Sequence, residues 1–343
     1  MTMKIDLVYL WVDGSDPEWV QKKNAALIKA GQVSKLAVVA NRFENNDELK
    51  YSLRSAEQFA PWLNHIYIIT DGQRPSWLAD NPRVSIVDQS EIVPSEYMPS
   101  FNSGAIELFL HKIPGLSEHF LYANDDMFFG APVTPDFFFD KNGDPIVIEQ
   151  AGSWKNSVYL RGGDAIDTRL KKDTLFPRML ANALHAAYKI SEKKYKLTLS
   201  HAIEPIRKSY LADIIESNYD YFMETTATTF RNASNIQRLA FPMINHAKGR
   251  TTIVYKPSFL GRRIKYISYL SAILTSFLMW LGVMLGLCRF NLCDPSKGVE
   301  RAIRKTLKYK PELFCLNYIA PDKRQMAADF MQKMFPNKSG YEK

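Results

Sequence analysis

Residues 120–130 read FLYANDDMFFG. An apolar run suited to a buried strand stops at Asn124-Asp125-Asp126 and becomes apolar again at once. Two adjacent carboxylates beside Phe120, Leu121, Met127, Phe128 and Phe129 are costly to bury without a cation. Successive strand residues face opposite sides of a sheet, so Asn124 and Asp126 share one side and Asp125 takes the other. At the carboxyl end of a strand, twist and the following turn can bring two of the three to one ion. Mg2+ takes oxygen ligands, commonly one or two carboxylates with water and substrate phosphates. An aspartate capping the next turn is the other reading of the same spacing.

Outward from this stretch, strands alternate with helices. KIDLVYLWV (4–12) reads as a buried first strand ending in the turn Asp13-Gly14-Ser15-Asp16-Pro17. A helical stretch follows to about Ala40. Asn46 has the character of an N-cap, with Asp47 and Glu48 in the first turn. Leu49, Leu53, Ala56 and Ala60 form a helical stripe that stops at Pro61. HIYIIT (65–70), RVSIVD (83–88) and HFLYAND (119–125) supply three more strands, and Ser103 to Lys112 a helix. The alternation predicts an α/β, Rossmann-like fold with a mostly parallel sheet. Asp13, Asp71, Asp88 and Asp125 follow the strand ends, where ligands bind in open α/β sheets. From about residue 150 the pattern is mostly helical, with segments near 175–190, 205–218, 233–248 and 298–309.

The charge is divided along the chain. Residues 1–140 hold 11 Lys/Arg against 19 Asp/Glu, and residues 141–343 hold 33 against 17. An acidic half suits a metal, and a basic half faces an anionic partner. A hydrophobic fraction of 46% over 343 residues, with no low-complexity tract or repeat, excludes disorder, solenoids and fibres. No nucleic-acid-binding motif accompanies the basic half. Cys288, Cys293 and Cys315 have no zinc spacing and do not suggest a disulfide framework, which fits a reducing compartment. The N-terminal apolar run is too short for a signal peptide, so a cytoplasmic location is expected. His201, Arg231 and Asn317 are undistinguished singly: a lone histidine, an arginine able to clamp a phosphate, and a residue ending an apolar run.

Taken together, the stretches IDLVYLWVDGSDPEW, ELKYSLRSAEQFAPWLNHIYIITDGQRPSWL, NPRVSIVDQSEI, MPSFNSGAIELFLHKIPGLSEHFLYANDDMFFG and FCLN resemble the Stealth family of sugar-phosphate transferases. That family includes bacterial capsule-polymer hexose-1-phosphate transferases and the animal N-acetylglucosamine-1-phosphotransferase. The first two conserved regions match over about residues 4–135, the third more loosely around His201 to Arg250, and the fourth around 311–320. The resemblance implies a nucleotide-sugar transferase core over 1–150 that also binds metal. A mostly helical part, 151–343, would complete the active site. It implies transfer of a sugar-1-phosphate, of the N-acetylhexosamine kind, from a UDP-sugar to a glycan or lipid-linked glycan hydroxyl, with release of UMP, in capsular or cell-surface polysaccharide synthesis. A metal-dependent glycosyltransferase releasing UDP is the alternative.

The resemblance also implies roles. Asp125, Asp126 and Asn317 would hold Mg2+ or Mn2+, His201 would act as base, and Arg231 would hold phosphates. Asp6, Trp11, Asp13, Gly14 and Asp16 would lie at the nucleotide, and Arg42, Asn102 and Ser103 would line the donor pocket. Two features depart from the family. Tyr318 stands where it usually has Asp. The uncharged stretch 266–288, flanked by Arg262, Arg263, Lys265 and Arg289, is not part of its pattern. That stretch has the length and hydropathy of a membrane helix. A single span would separate Asn317 from Asp125, which leaves two readings: a helix at the inner membrane surface, favoured by the basic flanks, or a core or partner-facing helix.

Overall fold

Strands β1 (Ile5–Leu10), β2 (Ile66–Thr70), β3 (Val84–Asp88) and β4 (His119–Asn124) form in the computed structural model where the apolar pattern places them. Described residues are 3–39, 42–149, 175–195, 199–255, 264–265, 290–293, 299–316, 319 and 321–343. The expectations for Asn317, Tyr318 and the stretch 266–288 lie outside them. The four strands pair in parallel in the order β3-β2-β1-β4, with Leu10 opposite both Ile69 and Asn124. They are continuous apolar runs because both faces of the sheet are covered. Leu7, Tyr9, Ile66, Ile68, Leu121 and Ala123 pack on one side, under helix Glu48–Phe59. Val8, Tyr67, Ile69, Phe120 and Tyr122 pack on the other, under residues 106–116 and the helices that follow residue 174.

β5 (Met127–Phe129) and β6 (Ile146–Ile148) come next in the chain, and β7 (Glu204–Arg207) completes the main sheet. β7 runs antiparallel to β4, with Glu204 opposite Tyr122 and Pro205 opposite Leu121. This corrects the helix expected from 205: a strand precedes the helix Lys208–Ser217. Proline lacks the N–H of an inner ladder but is tolerated on an edge strand, and β7 is an edge. β8 (Thr252–Tyr255) and β9 (Ile264–Lys265) join β6 in a second sheet. β10 (Phe290–Cys293) and β11 (Leu313–Leu316) join β5 in a third. Segments from beyond residue 200 thus pair directly with strands of the first half. Helices also cover Leu175–Ser191, Ala240–Ala247 and Val299–Tyr309, close to the helical segments expected there. Among the described residues no helix is long and apolar enough to cross a membrane.

The helix Glu48–Phe59 buries the expected stripe, with Leu49, Leu53 and Ala56 at 1% exposure or less. Its start differs from expectation. The N-cap is Asp47, in the left-handed region at φ 65°, and its side chain makes no capping bond. Asn46 instead donates its backbone and side-chain N–H groups to the Glu48 carboxylate, at 2.6 and 2.8 Å.

Candidate active site

Parallel pairing brings the ends of β1 to β4 to one edge, and antiparallel β7 enters from that same edge. Of the four aspartates that follow the strands, three are occupied locally. Asp13 accepts from the Ser15 amide at 2.9 Å and its hydroxyl at 2.6 Å, closing a turn. Asp71 pairs with Lys22. Asp88 caps a short 3-10 turn in a reciprocal capping box with Glu91. Asp125 is left, with Asp126 beside it.

Both carboxylates sit in the two-residue turn between β4 and β5. Among the described residues no Lys or Arg forms a salt bridge with either, and Asp126 Oδ1 is buried without a hydrogen-bond partner. Desolvation, then the neighbouring Asp126 and Glu48, hold the Asp125 pKa well above the usual carboxylate range. Desolvation raises Asp126 to about 6, against a lowering hydrogen bond from Cys315. Burial likewise raises Glu48. Carboxylates that destabilise one another, with an oxygen left unpartnered, have the donor chemistry of a site for a hard divalent cation. Asp125 and Asp126 fit that role. Glu48, read from sequence only as a first-turn acid, completes the acidic group; its proximity depends on where its helix docks, and no local signal carried that.

His201 precedes β7 by three residues, on the side where β7 passes the end of β4. A nitrogen of His201, an oxygen of Asp126 and the sulfur of Cys315 all lie within 4.8 Å of one another. Burial, then the cations Arg238 and Arg231, push His201 down to about 4, so its imidazole is neutral at pH 7. Arg238 is held by Glu107 (3.5 Å) and Glu204, over the Tyr122 ring at 4.8 Å.

On the other flank Arg231 donates to Ser103 Oγ. Desolvation and the Arg231 charge lower Arg42 to about 10. Two guanidinium groups close enough to repel have the donor chemistry to hold a doubly charged anion. An aromatic cluster positions them. Trp19 packs on Phe43 and Phe101 with centroids at 5.0 and 5.4 Å, and Phe101 stacks on Phe230 at 5.2 Å. Phe43 adjoins Arg42, Phe230 adjoins Arg231, and Phe101 precedes Asn102-Ser103, so one apolar contact set fixes three polar segments. Such pairing of remote segments leaves no signal in local sequence.

Several expected site residues are engaged in contacts with neighbouring segments. Asn102 is fully buried; it caps Gly104 and donates to Thr226 O, Thr228 Oγ1 and Asn235 Oδ1 at 3.0–3.1 Å. Asp16 caps helix Pro17–Ala30, and Gln73 ties it to Asp13. Gly14 packs on the Phe43 carbonyl. Trp11 is buried in the same apolar cluster as Leu49 and Met127. Asp6 is furthest from expectation. It lies at the amino end of β1, where it accepts from Asn64 Nδ2 and the Ser117 amide at 2.7 Å, clamping the opposite edge.

Two family models match: Stealth protein CR1, conserved region 1, over residues 3–31, and Stealth protein CR2, conserved region 2, over 42–147. The chain belongs to the Stealth family. It is 39% identical over 212 residues to the capsular polysaccharide phosphotransferase LcbA of Neisseria meningitidis, covering 60% of this chain and 54% of that protein. It is 33% identical over 252 residues to LcbA of Aeromonas hydrophila, covering 71% and 66%. It thus spans about half to two thirds of the length of these relatives. The crystal structure of the galactosyltransferase LgtC with donor and acceptor sugar analogs aligns over 96% of this chain and 95% of that one, at 10% identity and TM-score 0.44. Asp125, Asp126 and Arg42 lie inside the second Stealth region; His201, Arg231 and Cys315 lie beyond it.

Proposed function

We propose that this Stealth protein is a phosphotransferase that moves a sugar-1-phosphate from a UDP-sugar to a hydroxyl of an acceptor glycan. The observation that carries this is the arrangement of one strand edge: uncompensated carboxylates on one flank, paired arginines on the other, and a neutral imidazole between. The names of the relatives support polysaccharide as the acceptor class.

Phosphoryl transfer depends on positioning and charge neutralisation more than on covalent help from the protein. Arg42 and Arg231 hold the diphosphate, and Ser103 orients Arg231. Asp125 and Asp126 would hold a divalent cation, Mg2+ or Mn2+, which when bound neutralises diphosphate charge. The acceptor oxygen bonds to the β-phosphorus while the bond from that phosphorus to the bridging oxygen breaks. UMP leaves with that electron pair, and His201 Nδ1 or Nε2 takes the hydroxyl proton. The product is a phosphodiester.

Uncharged residues 266–288, outside the described residues, support a peripheral contact with the inner membrane face that would suit a lipid-linked acceptor. The deciding experiment incubates the protein with UDP-sugars, an oligosaccharide acceptor and Mg2+ or Mn2+, and scores the nucleotide released. UMP is expected. UDP with a glycosidic product would mark a glycosyltransferase and overturn the proposal.

A further inference from the structure

We infer that Asp126, His201 and Cys315 form a binding site for a soft divalent cation, zinc above all, and that filling it switches transfer off. Three separate chain segments build the site: the turn after β4, the residues entering β7, and β11. Pairing of β11 with β5 sets Cys315 opposite Met127, and the Leu316 amide donates to the Asp126 carbonyl at 2.8 Å. Stacking of Phe314 on Phe128, with centroids at 4.9 Å and planes 10° apart, locks that register. The thiol is therefore held against the carboxylate, to which it donates a hydrogen bond.

The three ligand atoms lie within 4.8 Å of one another. Tetrahedral zinc, with bonds of about 2.0–2.3 Å to nitrogen, oxygen and sulfur, has ligand–ligand edges of roughly 3.3–3.8 Å. Side-chain adjustments of about an ångström close that gap. Sulfur and imidazole nitrogen select zinc, cadmium or cobalt over Mg2+, which prefers an all-oxygen set. Asp126 Oδ1, buried and without a partner among the described residues, gains one in the ion. On binding, the thiol proton leaves to solvent and the thiolate ligates. The fourth position stays open to water. Binding stands on this geometry alone. Inhibition rests on the proposed function, because a soft ion there consumes the nitrogen that takes the acceptor proton and withdraws Asp126 from the diphosphate side.

The test uses the purified full chain and Co2+ as a spectroscopic probe. One equivalent should give a thiolate-to-cobalt charge-transfer absorption in the near ultraviolet, removed by added zinc. Cys315→Ser should abolish the band, while Cys288→Ser and Cys293→Ser keep it. No band, or a band that survives Cys315→Ser, overturns the site. Transfer with Mg2+ is measured in parallel, each variant against its own zinc-free rate. Zinc should lower the wild-type rate about tenfold or more, and Cys315→Ser should be inhibited at least about tenfold less readily. A band without inhibition overturns the regulatory half. A band in a protein with no transfer under any condition sinks the proposed function and leaves the site standing.

Discussion

Gly14 and Phe43 touch backbone to backbone. The Gly14 amide donates to the Phe43 carbonyl at 2.7 Å, and a Cβ on Gly14 would stand 2.3 Å from that oxygen and 2.7 Å from the Phe43 Cβ. No side chain fits there without moving the segment that carries Arg42. The glycine after β1 therefore sets where Arg42, one of the two arginines proposed to hold the diphosphate, lies.

Gly14→Ala should accordingly fold but displace residues 42–43. Overpacking of this kind costs roughly 1–3 kcal/mol. The expected result is a modest fall in melting temperature and about a tenfold or greater loss of UDP-sugar affinity by calorimetry. Affinity equal to wild type in the folded variant would separate Gly14 from donor binding.

The carboxylate turn gives a prediction about stability and pH. Asp126 rises from an ordinary 3.8 to about 6 in the fold, so its ionisation costs stability from pH 4 upward, and the full cost is present above pH 6. Asp125 and Asp126 titrate as a pair, and solvent screens part of the effect at this half-buried turn. Asp126→Asn should melt a few degrees above wild type at pH 7.5. The difference should shrink as the pH falls from 6 towards 4, where both proteins are neutral at that position. Mg2+ or Mn2+ should raise the wild-type melting temperature and close the gap. A variant less stable than wild type at pH 7.5 without metal would show that the pair is not strained.

The main sheet was legible in sequence because its signals are local. A parallel strand covered on both faces is an unbroken apolar run, and β1, β2, β3 and β4 each read that way. The carboxylate pair stood out for the same reason, as charge within apolar surroundings. What was hidden depends on remote pairing. Pro205 looks like a helix start, and only its position opposite Leu121 makes it an edge-strand residue. Cys315 carries no metal spacing in sequence, and only the pairing of β11 with β5 brings it to Asp126. The resemblance puts Asp6 at the nucleotide and Asn102 in the donor pocket because of the stretches they belong to. Both instead spend their polar atoms on backbone and amide groups of other segments.

His201 should titrate near 4 in the ligand-free protein, because burial and the Arg238 and Arg231 cations disfavour its protonated form. A group lowered in this way is neutral in the fold where the unfolded chain is protonated, so it withdraws stability as the pH drops from about 6.5 to 4. An anion between the arginines works in the opposite direction. UDP added without metal should therefore move the His201 imidazole resonances to a higher pKa in an NMR titration, making it a better proton acceptor when donor is present. An unchanged pKa in saturated protein would place the diphosphate away from Arg231.

The last prediction separates scaffold from contact on the arginine flank. Asn102 and Arg231 meet through Ser103 and the segment 226–235, yet they do different work. Asn102→Ala removes one donor each from Thr226 O, Thr228 Oγ1 and Asn235 Oδ1, which keep bonds from Asn235 Nδ2 and the Asn232 amide, and leaves the buried Gly104 amide without its cap. Buried groups left unsatisfied cost about 1–3 kcal/mol each before relaxation. A loss of roughly 2–4 kcal/mol is expected, with donor affinity falling because the Arg231 segment loosens. Arg231 is half-buried, and its guanidinium has one described bond, to Ser103 Oγ. Arg231→Ala should leave the melting temperature within about 2 °C of wild type and abolish measurable donor binding. Arg231→Lys keeps the charge but not the fork, so it should restore only part of the affinity. Denaturant unfolding and UDP-sugar titration on the same samples distinguish the two residues. If Arg231→Ala destabilises as much as Asn102→Ala while retaining donor affinity, Arg231 belongs to the scaffold and the anion site loses its principal cation.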